Sequence, residues 1–518
     1  MFNTKTRVLY TLVGTALMAG CAGSSYVVPV QNLTDPDIKK SDGWSLVWSD
    51  EFNGSEIDES KWSFEENCWG GGNMEQQCYT ARDKNAFVEG GVLYLVAHEE
   101  TFTGPNNPNG DYTKLAHLPY TSARLRSTNK GDWTYGRFEI RAKMPIGQGT
   151  WPAIWMLPTD YTYGTWAASG EIDIVEAVNL KAPSDSPEYK GQEESRIYGT
   201  LHYGAVWPDN KHSGQAYYLP NGANPADDFH TYSLEWEKDE MRWYVDDVHY
   251  ATQTSDGWYA LYSKDGEKTL ARADAPFDQR FHLLLNLAVG GSWSGNTNNK
   301  GVDASMFPQA LEVDYVRVYE CSKDPVTGQG CATIQDSATK VEGNLPPLVV
   351  DLPADFTTGE RIDVFNGELN EFFRQNAYDP QGVIMDFAYV TDAQRGQVME
   401  ITKTADTGNI YFETPQLDMS SWANNAKLVF DIKVVEINKG NQISVKLDSG
   451  WPNVSDLSVT LPRDKAWHTI EIDMNELVSN GNSHGVGKVD MSKIKNVLVI
   501  DPLGEMKFQL DNVRFERN

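Results

Sequence analysis

An all-β architecture with two separate β-sandwiches is predicted for this chain of 518 residues. Three observations predict it. Short segments of alternating apolar and polar residues recur along the chain, Gly, Asn, Asp and Pro separate them, and no stretch of residues 44–319 keeps a helical period. A chain of this length exceeds one typical core, so two or three globular units are expected.

The first set of strands predicts one domain over residues 42–321. Segments such as "YGRFEIRAKMP", "GEIDIVEAVN" and "RFHLLLNLAVGG" have the patterns of strands, and sandwiches and barrels reach this size as one domain. Residues 322–346 lose the alternation and gain Pro, Gly and Ser, which predicts a linker. Different strands, including "KLVFDIKVV" and "FQLDNVRFE", predict a second β-sandwich over residues 347–518.

The N-terminus has the layout of a bacterial export signal over residues 1–20. A basic start precedes an apolar stretch over residues 8–18, which is too short to span a bilayer. The segment "LMAGC" resembles a lipobox, which implies a lipid on Cys21, a polar tether over residues 21–41, and a lipid anchor at the outer membrane or cell surface. A plain cleaved signal with an incidental cysteine is the alternative.

The remaining four cysteines form two pairs of close sequence neighbours, Cys68 with Cys78 and Cys321 with Cys331. In an exported protein two disulfides are the economical assignment, and proximity favours these pairs among the three possible pairings. A metal site is the alternative, but no CxxC spacing or flanking histidines support zinc.

The charge balance excludes one class of partner. The net charge is -29, with 73 acidic against 44 basic residues, and such a chain repels phosphate backbones. We therefore expect no nucleic-acid partner. We also expect a monomer.

The segment "GEIDIVEAVN" places three acids in a strand that otherwise has the apolar composition of a buried one. Side chains of a strand alternate faces, so Glu171 and Asp173 share a face that Glu176 would not reach in a regular strand. A β-bulge near Val175 would bring Glu176 to that face. A solvated edge strand is the alternative, but Ile172 and its apolar neighbours argue against it.

The spacing of the outer acids bears on the chemistry. With a bulge, the Cα atoms of Glu171 and Glu176 lie roughly 13 Å apart at ~3.3 Å per residue. Glutamate side chains leaning toward each other would bring the carboxyls to about 5 Å, the separation of a retaining glycosidase. Asp173, which is shorter and lies between them, can share a proton with Glu171.

At this point the sequence resembles glycoside hydrolase family 16, in its laminarinase-like branch. The bulged signature "GEIDIVE" carries the resemblance together with flanking segments that match in order. These are "WSDEFNG", "GGGNMEQQCYT", "TSARLRS", "YGRFEIRAKMPIGQGTWPAIWMLP", "GTLHYG", "FHTYSLEWEKDEMRWYVDD", "FHLLLNLAVGGSWSG" and "EVDYVRVYE". The resemblance covers nearly the whole first domain. It implies a β-jelly-roll sandwich with a concave cleft and retaining endo-hydrolysis of a β-linked glycan.

The resemblance also implies roles for individual residues. Glu171 matches the nucleophile, Glu176 the acid/base, and Asp173 the carboxylate between them. His202 matches a histidine near the acid/base, with a structural role as the alternative. Other matches line the cleft: the tryptophans are Trp151, Trp155 and Trp293, and the polar residues that bind sugar hydroxyls are Asn73, Glu75 and Arg124. The inserted glycine and the cysteines around "WGGGNMEQQ" depart from the family pattern and put those subsites in doubt.

No cofactor is expected for catalysis, but the resemblance implies a structural calcium ion. Glu51 and Asp314 match its side-chain ligands and Gly91 a main-chain ligand, and oxygen ligands of this kind suit calcium.

The leading hypothesis for function is a retaining endo-1,3-β-glucanase acting on laminarin-like β-glucans. The first alternative keeps the fold and mechanism but changes the substrate to mixed-linkage β-glucan or to a galactan, as in agarases and carrageenases. The second is an inactive glycan-binding surface lipoprotein. The second β-sandwich resembles carbohydrate-binding modules, and a spacer or docking domain without affinity for sugars is the alternative. Its tryptophans, Trp422, Trp451 and Trp467, are either sugar platforms or core residues.

Overall fold

The computed structural model describes residues 43–264, 267–272, 274–379 and 384–518. The predicted export signal, the tether and the lipidation site Cys21 lie outside the described residues. The chain forms two compact units, of which the first ends at Pro346 and the second spans Pro347–Asn518. No described helix is both long enough and apolar enough to cross a bilayer.

The strands of the first unit are β1 Trp44–Asp50, β2 Ser63–Phe64, β3 Gln77–Tyr79, β4 Ala86–Glu89, β5 Val92–Pro105, β6 Leu115–Ser122, β7 Arg124–Arg126, β8 Asp132–Trp133, β9 Gly136–Lys143, β10 Thr150–Pro158, β11 Glu171–Ala177, β12 Arg196–Gly204, β13 Asn210–Tyr218, β14 His230–Glu237, β15 Glu240–Val245, β16 Val248–Thr254, β17 Leu261–Lys264, β18 Glu267–Leu270, β19 Phe281–Val289, β20 Gln309–Cys321 and β21 Thr339–Val341. A short helix, α1 (Gly291–Ser294), follows β19. Single turns of 3₁₀ helix occupy Gly70–Gly72, Pro220–Gly222, Ser255–Gly257 and Ala304–Met306.

Two sheets make up most of the first unit. One has the order β21-β16-β15-β14-β9-β20-β5-β6-β3, with β1 beside β20 and β4 beside β5. The other, which we call the catalytic sheet, has the order β13-β12-β11-β10-β19-β7-β2, with β8 beside β19. Strands β17 and β18 form a separate hairpin. The all-β jelly-roll sandwich is therefore confirmed.

Alternation along the catalytic sheet separates its core from its functional face. On β19, Leu283, Leu285 and Leu287 enter the core between the sheets. On β10, Ile154 and Met156 do the same. The intervening side chains must point to the opposite face because successive residues of a strand alternate. That face is where the predicted site residues gather.

The segment predicted as a linker, residues 322–346, lies along the first unit instead. Within it, β21 pairs in parallel with β16. The Thr333 amide donates to Glu235 at 2.9 Å, and the Asn344 side chain donates to the Tyr203 hydroxyl at 2.8 Å. Pro and Gly remove the alternating pattern of this segment, but its backbone still satisfies hydrogen bonds at a sheet edge.

The second unit is also built from two sheets. Its strands are β22 Arg361–Phe365, β23 Arg374–Tyr378, β24 Met385–Asp392, β25 Gly396–Lys403, β26 Asn409–Leu417, β27 Ala426–Ile437, β28 Gln442–Asp448, β29 Val454–Thr460, β30 Trp467–Asp473, β31 Ile494–Pro502 and β32 Met506–Arg517. The sheet orders are β24-β25-β32-β27-β30, with β22 beside β32, and β23-β26-β31-β28-β29. A 3₁₀ turn, Ser420–Trp422, and helix α2, Met474–Asn480, complete it. Asp473 caps α2 by accepting from two of its amides.

The three tryptophans of the second unit occupy different environments. Trp422 is fully buried in the core. Trp451 is 65% exposed. The ring of Trp467 lies near the cations of Arg395 and Lys433, at 5.1 and 5.8 Å. Trp422 is therefore a core residue, and Trp451 is the most exposed of the three.

Candidate active site

Strand β11 departs from regular pairing after Asp173. The residues of β12 that face Glu171, Asp173 and Glu176 are His202, Thr200 and Tyr198, in that order. Three steps along β11 between the last two acids thus match two steps on β12, so β11 carries one extra residue. This is the predicted β-bulge, and it turns the Glu176 side chain to the face that Glu171 and Asp173 share.

Two indole groups hold the outer acids. Trp166 Nε1 donates to Glu171 Oε2 at 2.9 Å, and Trp151 Nε1 donates to Glu176 Oε1 at 2.8 Å. Trp151 stands on β10, the neighbour of β11, while Trp166 stands in the loop before β11. Each indole fixes one oxygen of its carboxyl group, which limits the rotation of that group.

Asp173 is the most buried of the three acids. It is 2% exposed, and its carbonyl oxygen accepts from Trp243 Nε1 at 2.9 Å. Its carboxyl oxygen Oδ2 lies 3.4 Å from Nε2 of His202, which also lies 3.6 Å from Glu171 Oε1. The expectation that His202 lies near the acid/base Glu176 is therefore wrong: His202 lies beside Glu171 because it directly faces that residue across the strands, whereas Tyr198 faces Glu176.

The environment of the three acids favours protonated carboxyl groups. Burial, followed by repulsion from Glu176, raises the pKa of Glu171. Burial, followed by the charges of Glu176 and Glu171, raises the pKa of Asp173. Burial also raises the pKa of Glu176, with Trp151 opposing the shift and Glu75 adding to it. The groups titrate as a set that keeps protons near neutral pH.

His202 is neutral in this setting. Burial, with a smaller contribution from His212, lowers the pKa of His202 to about 4. Its contacts with Glu171 and Asp173 are therefore polar contacts and not ion pairs at pH 7. The ring is placed between Trp166 and His212, with centroid distances of 5.6 and 5.5 Å.

The predicted cleft tryptophans surround this acidic strand. Trp151 and Trp155 share the functional face of β10, and both are partly exposed. Trp155 Nε1 donates to Asn286 on β19 at 2.7 Å. Trp293, in α1, meets Trp151 edge to face at 5.3 Å. Flat rings with an exposed face beside the carboxyl groups are suited to stacking on sugar rings.

The predicted polar residues lie beside the same tryptophans. Asn73 donates to Glu75 at 3.4 Å, and the charge of Glu75 reaches Glu176. The guanidinium of Arg124 lies 5.2 Å from the Trp155 ring and donates to Glu65 at 3.3 Å. Arg124 thus packs against the Trp155 ring. Contact of Asn73, Glu75 and Arg124 with sugar stays a prediction.

Both predicted disulfides are confirmed. Cys68–Cys78 and Cys321–Cys331 have Cα separations of 4.1 and 5.7 Å. The first brackets the loop that carries Asn73 and Glu75. The Cys68 amide donates to the Pro105 carbonyl at the end of β5, at 2.6 Å, so the loop is tied to the neighbouring hairpin.

The predicted calcium ligands have other partners. Both carboxyl oxygens of Glu51 accept from Arg317, at 2.9 and 2.7 Å. Asp314 accepts from Arg141 at 2.6 Å. Guanidinium groups thus already balance the two charges that a calcium ion would need. As placed, the carboxylates of Glu51 and Asp314 do not fit a calcium site, and a main-chain contact from Gly91 stays a prediction.

Sequence reasoning missed three residues of the site: Trp166, Tyr198 and Asn286. Tyr198 faces Glu176 across the strands and contacts the Trp293 ring at 5.0 Å. Asn286 is, with His282, one of two polar residues in the strand "FHLLLNLAV", and this interruption of an apolar run could have indicated a functional position. Trp166 lies in an irregular loop, where no periodicity points to a contact with Glu171.

Known proteins match the first unit. Residues 44–321 match the profile described as the glycoside hydrolase family 16 domain of β-porphyranases A–D. The chain is 42% identical over 289 residues to a β-glucanase of Rhodothermus marinus, covering 54% of this chain and 86% of that protein. It is 40% identical over 295 residues to glucan endo-1,3-β-glucosidase A1 of Niallia circulans, covering 55% of this chain but 39% of that longer protein.

A solved structure matches the same region. The laminarinase of Rhodothermus marinus is 39% identical, with a TM-score of 0.41, and the match covers 53% of this chain and 97% of that chain.

Proposed function

The chain belongs to glycoside hydrolase family 16, and from this premise we propose that it cleaves internal β-1,3-glucosidic bonds of laminarin-like β-glucans with retention of anomeric configuration. The observation that carries the proposal is the bulge in β11, because it places Glu171 and Glu176 on one face. The two relatives described above are named as glucanases that act on such bonds or on β-glucans. The proposed cleavage needs only side chains of the protein and a water molecule.

In the first step, Glu171 attacks the anomeric carbon in its ionised form, while the protons that the three coupled acids share rest on Asp173 and Glu176. Glu176 donates its proton to the departing glycosidic oxygen. A bond forms between Glu171 and the sugar, and the leaving chain departs with the proton. The raised pKa of Glu176 keeps the proton available near neutral pH. Trp166 holds the second oxygen of Glu171, which orients the attacking one.

In the second step, Glu176, now ionised, takes a proton from water, and the water oxygen attacks the anomeric carbon. The bond to Glu171 breaks, and two inversions give net retention. Asp173 stays next to both events. Because it is buried and its pKa is raised, its carboxyl group can keep a proton for Glu171 when that residue is released.

The test is a substrate panel. The full-length protein is incubated with laminarin, lichenan, agarose, carrageenan and porphyran, and products are identified by mass. Proton NMR of the first anomer formed tests retention. We expect oligosaccharides from laminarin with a β-anomer first, and none from a Glu171→Ser protein. Absence of product from every β-glucan, or an α-anomer first, would overturn the proposal.

A galactan substrate is the second candidate, because the matching profile is named for β-porphyranases. The panel distinguishes the two, since porphyran is a galactan. Products from porphyran but not from laminarin would favour this candidate. The third hypothesis, an inactive glycan-binding protein, predicts binding with no products. The three retained acids argue against it.

We also propose that the protein is a monomeric lipoprotein anchored through Cys21 at the outer membrane or cell surface, on the strength of the signal and "LMAGC" pattern. A Cys21→Ser protein should lose labelling by radioactive palmitate and appear in the soluble fraction. Unchanged labelling would reject Cys21 as the lipid site. For the second unit we propose glycan binding through Trp451, whose exposed ring offers a flat surface to sugars.

A further inference from the structure

A compact corner of the active site is built from Glu171, Asp173 and His202. One ligand-capable atom from each residue lies within 4.8 Å of the other two. The acids come from β11 and the imidazole from β12, so the corner is held by paired strands and not by a loop. Positions on strands of this kind can be kept to within a fraction of an ångström.

Two contacts in this corner are too long for hydrogen bonds. His202 Nε2 lies 3.4 Å from Asp173 Oδ2 and 3.6 Å from Glu171 Oε1, whereas an N–H···O bond measures about 2.7–3.2 Å. Asp173 Oδ2 is buried and has no hydrogen-bond partner among the described residues, and the same holds for His202 Nδ1. Buried polar atoms without partners are rare and call for an explanation.

The distances from His202 Nε2 to the two carboxyl groups suit metal coordination better than hydrogen bonding. In a tetrahedral zinc site with bonds of about 2.0–2.1 Å to nitrogen and oxygen, the ligand atoms lie about 3.3–3.4 Å from one another. The imidazole-to-carboxylate distances are close to this value before any side chain moves. We propose that Glu171, Asp173 and His202 form a binding site for a first-row transition-metal ion such as Zn²⁺.

The donor set selects among metals. The imidazole nitrogen suits zinc, copper, iron or nickel, and zinc also accepts carboxylate oxygens as ligands. Magnesium and calcium prefer six or more oxygen ligands. A water molecule from the cleft completes the fourth position, as in zinc sites with three protein ligands.

Metal binding and glycan cleavage exclude each other at this site. The ion binds Glu171 Oε1, while Trp166 already holds Oε2, so neither oxygen can attack a sugar. This consequence for activity rests on the proposed function, whereas the binding itself does not. Free Zn²⁺ therefore acts as an inhibitor competitive with the glycan, and a chelator reverses it.

The test measures zinc directly. Isothermal titration calorimetry of the full-length protein with Zn²⁺ should find a site whose dissociation constant rises at least tenfold in His202→Gln and in Asp173→Asn. His212→Gln, beside the site, and His230→Gln, which removes a histidine paired with Asp246, should leave this affinity within about twofold. Thermal unfolding of each variant verifies folding.

Three results would overturn the proposal: zinc affinity unchanged in both His202→Gln and Asp173→Asn, equal affinity for Mg²⁺, or loss of binding in His230→Gln alone. None of these readouts needs a glycan. A failure of the glucanase assignment would thus show in the substrate panel and leave the calorimetry unaffected.

Discussion

Two groups of buried carboxyls on the catalytic sheet have opposite electrostatics. On β11, the three acids face indoles and a neutral imidazole, and the pKa of each is raised. Beside β2, at the far edge of the sheet, Glu65 accepts from Arg124 and Arg126. Burial alone would raise the pKa of Glu65, but the two arginines outweigh burial and lower it.

This difference distinguishes a carboxyl group that stabilises the fold, Glu65, from the carboxyl groups of β11 that we propose take part in the reaction. A buried carboxylate without a cation is costly, and Glu65 avoids that cost through paired guanidinium groups. The acids of β11 have no such partner within the strands that pack on them, and their protons stay exchangeable. An uncompensated buried acid is therefore a mark of a reacting group.

Replacing the proposed nucleophile should give the largest effect. Glu171→Gln removes the attacking oxygen, so kcat/KM for laminarin should fall by about 10⁴-fold while the fold is kept. Glu65→Gln retains the reacting groups and should lose far less activity. Reducing-end assays measure both. A Glu171→Gln protein with more than a few per cent of the activity would contradict the comparison.

Replacing the paired acid should give the largest loss of stability. Glu65→Gln leaves Arg124 and Arg126 without their common carboxylate, so the free energy of unfolding should fall by about 3 kcal/mol. Urea denaturation followed by tryptophan fluorescence measures it. The adjacent Glu66→Gln is the matched control, because Glu66 is exposed and its loss should cost little. Equal effects of the two substitutions would mean that the arginines do not need Glu65.

The corresponding substitution at the proposed nucleophile, Glu171→Gln, should stabilise the protein. The folded chain raises the pKa of Glu171 above its ordinary value of 4.5, so it holds the proton more tightly than the unfolded chain does. The stabilising effect of that proton is complete below pH 4.5 and is lost as pH rises. Glu171→Gln avoids this loss, so its free energy of unfolding, measured by calorimetry, should exceed that of the unmodified protein by about 1 kcal/mol at pH 8 and be equal to it at pH 4. A gain that is independent of pH would contradict this.

Two neighbours of the proposed acid/base, Glu176, should shift the pH profile in opposite directions. Glu176 must be protonated in the first step, so kcat/KM should fall as pH rises through about 7. Trp151 lowers and Glu75 raises the pKa of Glu176. The alkaline limb should therefore move upward in Trp151→Phe and downward in Glu75→Gln, by roughly half a unit. Shifts of the same sign would show that neither residue acts through Glu176.

Much of the site could be predicted from strand periodicity. Alternation identified β11, and the wrong parity of Glu176 required the bulge that the pairing with β12 contains. Close spacing of the cysteines was sufficient to pair them, because each pair is separated by only ten positions.

Contacts between distant segments could not be predicted in this way. Trp166 reaches Glu171 through a loop whose path depends on tertiary packing. The proximity of His202 to Asp173 depends on strand register, which no single segment encodes. Likewise, the ion pairs of Arg317 with Glu51 and of Arg141 with Asp314 form between segments far apart in sequence. The composition of residues 322–346 predicted a linker because β21 has only three residues, of which Val341 alone is buried in the core, and this is too short for an alternating pattern.

The pairing of β21 with β16 determines where a fragment containing only the first unit should end. Because β21 covers β16 at the end of its sheet, a fragment stopping at Cys321 would leave the free backbone groups of β16 open to pairing with other molecules, which promotes aggregation. A fragment ending at Pro346 keeps that cover. Preparations of the isolated hydrolase should therefore extend 25 residues past the last matched position, even though those residues carry no chemistry.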